Sequence, residues 1–505
     1  MTDTENTTPG RPDTNLRGDT EVIDRTSLLA SVPTSLCIAG QWLPAADAST
    51  FDVVDPATEQ VLATVANAQP EDGRRALDAA VAVADEWAGT APRIRAELLN
   101  AAWERVTELR DQFALLICLE MGKPLAEAYG EVDYGADFLR WFAEEAVRIN
   151  GRITRSPSGN GRILVTKTPV GPVLAITPWN FPLAMGTRKI APALAAGCPV
   201  ILKPAEETPL TMLLLAKVFA DVGLPAGVLS VLPTRSAAEL TAPMFSDARL
   251  RKVTFTGSTA VGKRLLAQAA GSVMTSSMEL GGNAPFIVFD DADIDAAVEG
   301  AMAAKMRNGG EACTAANRIY VDNRVRAEFT EKLSARMAAV TIGPGTESGV
   351  QLGPLISDKQ RSTVTALVDD ALSKGATATV GGKSVEGPGY FYAATVLAEV
   401  PPTAQLLKEE IFGPVAAIVG FDGEEQGIQL ANDTEYGLAA YIYTEGLERA
   451  WRVSDALHAG MIGVNRGIIS DVAAPFGGVK ESGLGRESGS EGIEEYLEAK
   501  YVAFR

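Results

Sequence analysis

The chain has 505 residues, 46% of them apolar and 22% charged, which fits a folded protein of about two to four domains and excludes disorder over most of its length. Its 45 basic and 64 acidic side chains leave a formal charge of −19, a field that repels phosphate backbones and anionic bilayers, so neither a nucleic acid nor a membrane is an expected partner. No uninterrupted apolar run reaches about 18 residues, so no membrane-spanning helix is expected.

In chain order, residues 1–25 are polar, lack an apolar segment, and read as a flexible tail rather than a secretory signal. CIAGQWLPAADASTFDVVDPATEQVLATVA follows as short strands broken by Gly, Pro and Asp. Residues 71–147 carry apolar side chains at three- and four-residue spacing and are predicted helical. Residues 149–168 place two β-type runs around SPSGNG, a hairpin whose polar character suits an exposed arm. From 169 to 281 the short apolar runs GPVLAITPW, CPVILKP, GVLSVLP and RKVTFTG alternate with helical patterns, the signature of parallel βαβ units. One of those helices is expected to start with Thr208 as N-cap and Pro209 in its first turn. A second alternation runs from about 283 to 480 through APFIVFDD, NRIYVDN, TATVGG, AAIVGF, AAYIYTE and GMIGVN. The fold class is therefore α/β, with two parallel-sheet domains and a small β arm.

One histidine in the whole chain excludes most imidazole chemistry. His458 lies near a predicted helix end and reads as a dipole partner or surface residue, so triads, Cys–His dyads and His-ligated zinc sites are not expected, nor is any other metal. The four cysteines, Cys37, Cys118, Cys198 and Cys313, show neither metal spacing nor disulfide density, which suits reduced thiols in the cytoplasm. Cys313 differs from the others. It follows Gly309-Gly310 and has only small neighbours, so it is either an approachable nucleophile or a packed thiol. Glu279, beside Gly281-Gly282, is either a shielded general base or an ordinary strand-end carboxylate. Asn180, between Trp179 and Phe181 in a Pro-bounded loop, is either an oxyanion donor or a turn residue. Lys203 and Glu206 stand at a strand-to-helix switch, where they can meet ribose hydroxyls and where Glu206 disfavours a 2′-phosphate, or simply serve the helix start.

GSTAVGK, residues 257–263, matches a phosphate loop, and Asp290-Asp291 resemble an acidic strand end, so an NTPase competes. Against it, Arg264 stands where a Ser or Thr hydroxyl is needed for Mg²⁺, and the two motifs are only about 30 residues apart. The backbone N–H groups near Gly257 and Ser258 can still hold a pyrophosphate.

ITPWNFP, KPAEETP, FTGSTAVG, MELGGNAPFIVFDDADID, NGGEACTAANR, KEEIFGPV, NDTEYGLAAYIYT and PFGGVKESGLGRE occur in the order and spacing of the aldehyde dehydrogenase superfamily, which the chain resembles from about residue 35 to its end. RNGGEACTAANRIYV, VNRGIISDVAAPFGG and EGIEEYLEAKY are most similar to the branch that oxidises succinate semialdehyde. The resemblance implies a two-Rossmann-like-domain fold: residues 26–148 and 168–281 bind the dinucleotide, 282–484 form the catalytic domain, and 149–167 with 485–505 form an oligomerisation arm for a homodimer or homotetramer. It implies Cys313 as nucleophile, Asn180 as oxyanion donor and Glu279 as the base for thioester hydrolysis. Trp179, Lys203, Glu206, Gly257, Ser258, Glu410 and Phe412 become cofactor contacts, for NAD with NADP as the alternative. Arg188, Arg307 and Ser470 become ligands for the distal carboxylate of an aldehyde, succinate semialdehyde first and glutarate semialdehyde as the alternative. Arg466 adds a charge four residues before Ser470, in keeping with other ω-carboxylated aldehydes. Ala315 stands where some members carry a second cysteine, so a disulfide switch is not expected.

Overall fold

Helical structure begins inside the segment expected to be a tail. The computed structural model describes residues 24–504, so most of that expectation lies outside the described residues. Asp24 caps the Arg25–Ser31 helix by accepting from the Ser27 N–H at 2.8 Å.

Two parallel-rich sheets make up the body. The first has eight strands in the order Gly483–Leu484, Thr275–Glu279, Lys252–Thr256, Val173–Ile176, Val200–Lys203, Leu229–Val231, Leu36–Ile38, Gln41–Leu43. Its middle five are parallel, and the flanking pairings are antiparallel. The second has seven, in the order Thr377–Val380, Thr395–Ala398, Val415–Phe421, Ala316–Asp322, Ala284–Val288, Ala439–Tyr443, Met461–Val464, parallel except at the first pair. The central strands of both sheets are buried throughout, as runs of Val, Ile, Leu and Ala covered by helices on both faces should be.

The expected strands are present, and besides the short Gly483–Leu484 two more join them. Thr275–Glu279 reads TSSME and escaped an apolar-run criterion because its buried polar atoms find partners: Ser277 donates to Glu495 at 2.8 Å and accepts from Lys252. Thr395–Ala398 is the other. The arm is a three-stranded antiparallel sheet in the order Leu497–Phe504, Arg162–Pro169, Arg152–Arg155, with the expected hairpin at SPSGNG.

The chain departs from the expected boundaries near its end. Gly483–Leu484 pairs with Thr275–Glu279 and so extends the first sheet. Residues 485–496 do not enter the arm; Glu487 reaches the Pro182–Ala196 helix, and only Leu497–Phe504 joins the arm strands. The helix expected from Thr208 starts at Leu210. Its first N–H groups are capped from 90 residues away by the buried carboxylate of Glu120, which accepts from Leu210 at 2.8 Å and Thr211 at 2.9 Å. A sequence window contains no sign of so remote a cap.

Only four residues separate Thr275–Glu279 from Ala284–Val288, so the chain passes directly from one sheet into the other. Carboxyl ends of first-sheet strands thereby face amino ends of second-sheet strands. The loops after Ile176, Thr256 and Glu279 meet the loops before Ala316 and Val415 along one crevice, the usual ligand position in an open α/β sheet.

Candidate active site

Cys313 reaches the crevice through a strained turn. The Ile294–Met306 helix ends, and Asn308, Gly309 and Gly310 then take φ values of 56°, 61° and 79°. A side chain at Gly310 would stand 2.2 Å from the Gly413 carbonyl oxygen, so this approach of two loops requires glycine. Cys313 is partly buried in the wall of a cavity of about 280 Å³, while Cys37, Cys118 and Cys198 are buried elsewhere. Burial pushes its thiol up to about 12, opposed by the charge of Arg188 and Arg307 and reinforced by Glu410 and Glu279. The thiol is thus protonated at neutral pH unless a cation or a base acts on it.

Asn180 lines the same cavity. Its Nδ2 donates to the Glu311 carbonyl at 2.9 Å, which uses one of two N–H bonds, and its Oδ1 is buried without a partner. The Asn180 main-chain carbonyl accepts from Lys123 Nζ at 2.9 Å and Asn308 Nδ2 at 3.0 Å. Glu279 ends its strand behind this wall and is buried; its Oε2 has no hydrogen-bond partner. It does not itself line the cavity, although the adjacent Leu280 does. Burial and the nearby Glu487 hold its carboxyl well above the usual range, the condition for a base that works near neutrality.

One end of the cavity has the character of a dinucleotide cleft. Trp179 meets Phe412 edge-on with ring centroids 5.4 Å apart, and Phe412 is held at a φ of 50°. Gly257 and Ser258 line the wall at the start of the Thr259–Ala270 helix, beside Thr256, whose buried hydroxyl has no partner. A Cβ on Gly257 would lie 2.4 Å from the Phe255 ring, and one on Gly281 would lie 2.9 Å from Glu410, so both positions keep bare backbone at the wall. Glu410 accepts from the Gly282 N–H at 3.3 Å, and burial raises it to about 8. Lys203 and Glu206 do not line this cavity; they lie at and just beyond the neighbouring strand end, where burial pulls Lys203 below its ordinary value against the charges of Glu207 and Glu206. This donor set fits a nicotinamide dinucleotide: bare backbone at a helix start for phosphate, aromatic walls for a ring, carboxylates for ribose hydroxyls.

At the other end, Arg307 Nη1 donates to Ser470 Oγ at 3.2 Å, and the guanidinium lies 5.0 Å from the centre of the Phe181 ring. Among the described residues Arg307 makes no ion pair. A second cavity, of about 640 Å³, shares Tyr134, Phe181, Arg307 and Ser470 with the first, so this pair stands where the two join. Arg188 also lines the first cavity but is otherwise engaged. It is 2% exposed, stacks 3.9 Å from the centre of the Phe476 ring, and donates through Nε to Glu487 at 2.5 Å; Lys189 binds the same carboxylate. Arg188 is therefore a counter-ion to Glu487 as well as a lining residue of the cavity, a pairing that its sequence position did not reveal. Arg466 is exposed and lines neither cavity. His458 is exposed, with its main-chain N–H on Asn432.

The phosphate-loop reading fails on geometry. Lys263 pairs with Glu481 at 2.7 Å on the surface. Asp290 and Asp291 follow the carboxyl end of Ala284–Val288 and are tied to Arg449, whereas the GSTAVGK loop faces that strand's amino end. Sequence reasoning missed Glu487, Lys123, Glu131 and Asn308. Glu487 lies in the GLGRE segment and Asn308 opens NGGEACTAANR, whereas Lys123 and Glu131 carry no local signal.

Residues 42–502 match the profile described as the aldehyde dehydrogenase family. A succinate-semialdehyde dehydrogenase of Paenarthrobacter nicotinovorans is 58% identical over 88% of this chain and 98% of its own length. A glutarate-semialdehyde dehydrogenase of Pseudomonas putida is 48% identical over 92% of this chain and 96% of its own. The crystal structure of a succinate-semialdehyde dehydrogenase from Burkholderia pseudomallei superimposes with a TM-score of 0.93 at 47% identity, covering 95% of this chain and 98% of that one.

Proposed function

The chain belongs to the aldehyde dehydrogenase family, and from that premise we propose that it oxidises succinate semialdehyde to succinate, with NAD as the preferred cofactor. The observation that carries the substrate is the Arg307–Ser470 pair in the wall of the cavity that Cys313 lines, a guanidinium that feels the buried Glu127 carboxyl but has no ion-pair partner among the described residues. A carboxylate of the substrate takes the place of that missing partner through charge-assisted hydrogen bonds, and the aldehyde at the other end of a short chain is directed to the sulfur.

Trp179, Gly257, Ser258, Glu410 and Phe412 would hold the dinucleotide, with Lys203 and Glu206 on its adenosine side. When bound, it would supply the hydride acceptor and a positively charged ring that favours the thiolate. Cys313 gives up its proton to water and attacks the aldehyde carbon as the thiolate, and the resulting oxyanion is held by the second Asn180 N–H and the Cys313 backbone N–H. Oxidation of this thiohemiacetal leaves a thioester on Cys313. Glu279, raised by burial, takes a proton from water as the water attacks the thioester carbon; the C–S bond breaks, the acid leaves and the thiol is restored. Glu206 on the adenosine side would repel a 2′-phosphate, which favours NAD over NADP.

A second substrate, glutarate semialdehyde, is supported by the 48% identical relative of that name and by the space continuing past Arg307 into the second cavity. The remainder of the reading is a cytoplasmic homodimer or homotetramer. Four free cysteines support the compartment, and the arm, with Ile153, Tyr501 and Phe504 exposed, supports the assembly. No helix of the described residues is long and apolar enough to cross a membrane. The test is kcat/KM for aldehydes with and without a terminal carboxylate, each with NAD and NADP. The reading requires succinate semialdehyde with NAD to lead the panel, and fails if uncharged aldehydes of equal length do as well.

A further inference from the structure

Asn180 lies between a strand that ends at Ile176 and a helix that starts at Pro182, in a stretch with no regular hydrogen bonding of its own. Its position is fixed from outside. Lys123, on the bend between the Arg110–Met121 and Leu125–Ala146 helices, is 3% exposed and sends Nζ to the Asn180 carbonyl at 2.9 Å and to Glu131 at 2.5 Å. The ammonium also lies 4.1 Å from the centre of the Phe181 ring. The other Glu131 oxygen accepts from the Leu183 N–H at 2.9 Å. One buried ion pair thus holds residues 180, 181 and 183 together. From the opposite side, Asn308 bridges the Asn180 and Glu311 carbonyls, at 3.0 and 2.9 Å. The Glu311 carbonyl is also the acceptor of the Asn180 side chain.

We infer that Lys123, paired with Glu131, is a positioning residue that sets the Asn180 amide toward the oxyanion formed at Cys313. Lys123 does not line the cavity, so it touches neither substrate nor cofactor and acts through Asn180. The inference rests on the oxyanion role proposed for Asn180. A buried charge-assisted bond to the Asn180 carbonyl fixes the peptide plane adjoining the Cα from which the side-chain amide extends, and small displacements of a preorganised donor are costly. Losing the bond leaves Asn180 present but misaimed.

The test is a double-mutant cycle on the full-length enzyme, read by kcat, KM, NAD binding and thermal unfolding. Lys123→Met keeps the apolar stem and removes the donor. It is expected to lower kcat about 30-fold, short of the 10²–10³ for deleting an oxyanion donor outright, with KM and NAD affinity within about twofold. In an Asn180→Ala background the same substitution should cost less than about threefold, because partners in one unit are non-additive. Lys123→Met/Glu131→Gln removes both charges together, avoids an unpaired buried carboxylate, and should show the same kcat loss if Lys123→Met alone does not fold. Wild-type kcat in a folded Lys123 variant overturns the inference, as does an equal loss with and without the Asn180 side chain. Wild-type kcat in Asn180→Ala alone overturns the oxyanion reading itself, a separate result.

Discussion

Arg307 donates to the hydroxyl of Ser470 at 3.2 Å, joining residues 163 positions apart where two cavities meet. Arg307→Ala should raise KM for succinate semialdehyde about 30-fold or more, as loss of a charged hydrogen bond of about 2 kcal/mol implies, and leave an uncharged aldehyde of similar length nearly unaffected. Steady-state kinetics with the two substrates checks this. Equal effects would remove carboxylate recognition from Arg307.

Arg188 should behave differently. Its guanidinium is buried on Phe476 and paired with Glu487; burial pulls Arg188 down, but Glu487 together with Tyr134 and Glu279 holds it above its ordinary value. Arg188→Leu leaves Glu487 with Lys189 alone in a buried site, and denaturant unfolding should show a loss of about 3–5 kcal/mol. A kinetic defect without a stability defect would return Arg188 to the substrate.

Glu206 tests the cofactor. Glu206→Ser removes the charge that opposes a 2′-phosphate and should raise kcat/KM for NADP at least about tenfold, the equivalent of ~1.4 kcal/mol. Unchanged NADP kinetics would place the adenosine ribose elsewhere.

Glu279 ties pH to both rate and stability. Burial raises its carboxyl, so the base form is lost early as pH falls and thioester hydrolysis should slow through the weakly acidic to neutral range. Glu279→Gln should leave the first reduction of cofactor as a burst and lower the steady rate by about 10²–10⁴, the usual contribution of a general base. The stability sign is opposite to that of a salt-bridged acid. Above the ordinary carboxyl value the folded state retains a proton that the unfolded chain has released, so this group's contribution falls as pH rises toward its folded value. Unfolding midpoints of Glu279→Gln should show a weaker fall over that range. A steady rate insensitive to the substitution would exclude Glu279 as the base.

The sheets were legible because parallel strands buried on both faces are short apolar runs, and VLAI, VILK and APFIV admit little else. TSSME was not, because its burial depends on Lys252 and Glu495 from other segments. The site divides the same way. Cys313, Asn180, Glu410 and Phe412 sit in loops whose Gly, Pro and small residues mark them, and the fold brings them to one cavity. Residues that hold those loops, such as Lys123, Glu131 and Glu487, are ordinary charges in helical or loop sequence until the chain folds over them. Arg188 shows the converse: a guanidinium expected to meet substrate lines the cavity and also pairs through Nε with a carboxylate 299 residues away, which the sequence position does not reveal.

The central claim is covalent chemistry at one sulfur. Glu279→Gln enzyme mixed with NAD and succinate semialdehyde, then quenched and analysed by intact and peptide mass spectrometry, should carry a succinyl group on Cys313 in amounts matching the NADH formed. NADH produced with no adduct on Cys313, or an adduct on Cys37, Cys118 or Cys198 instead, would contradict the account.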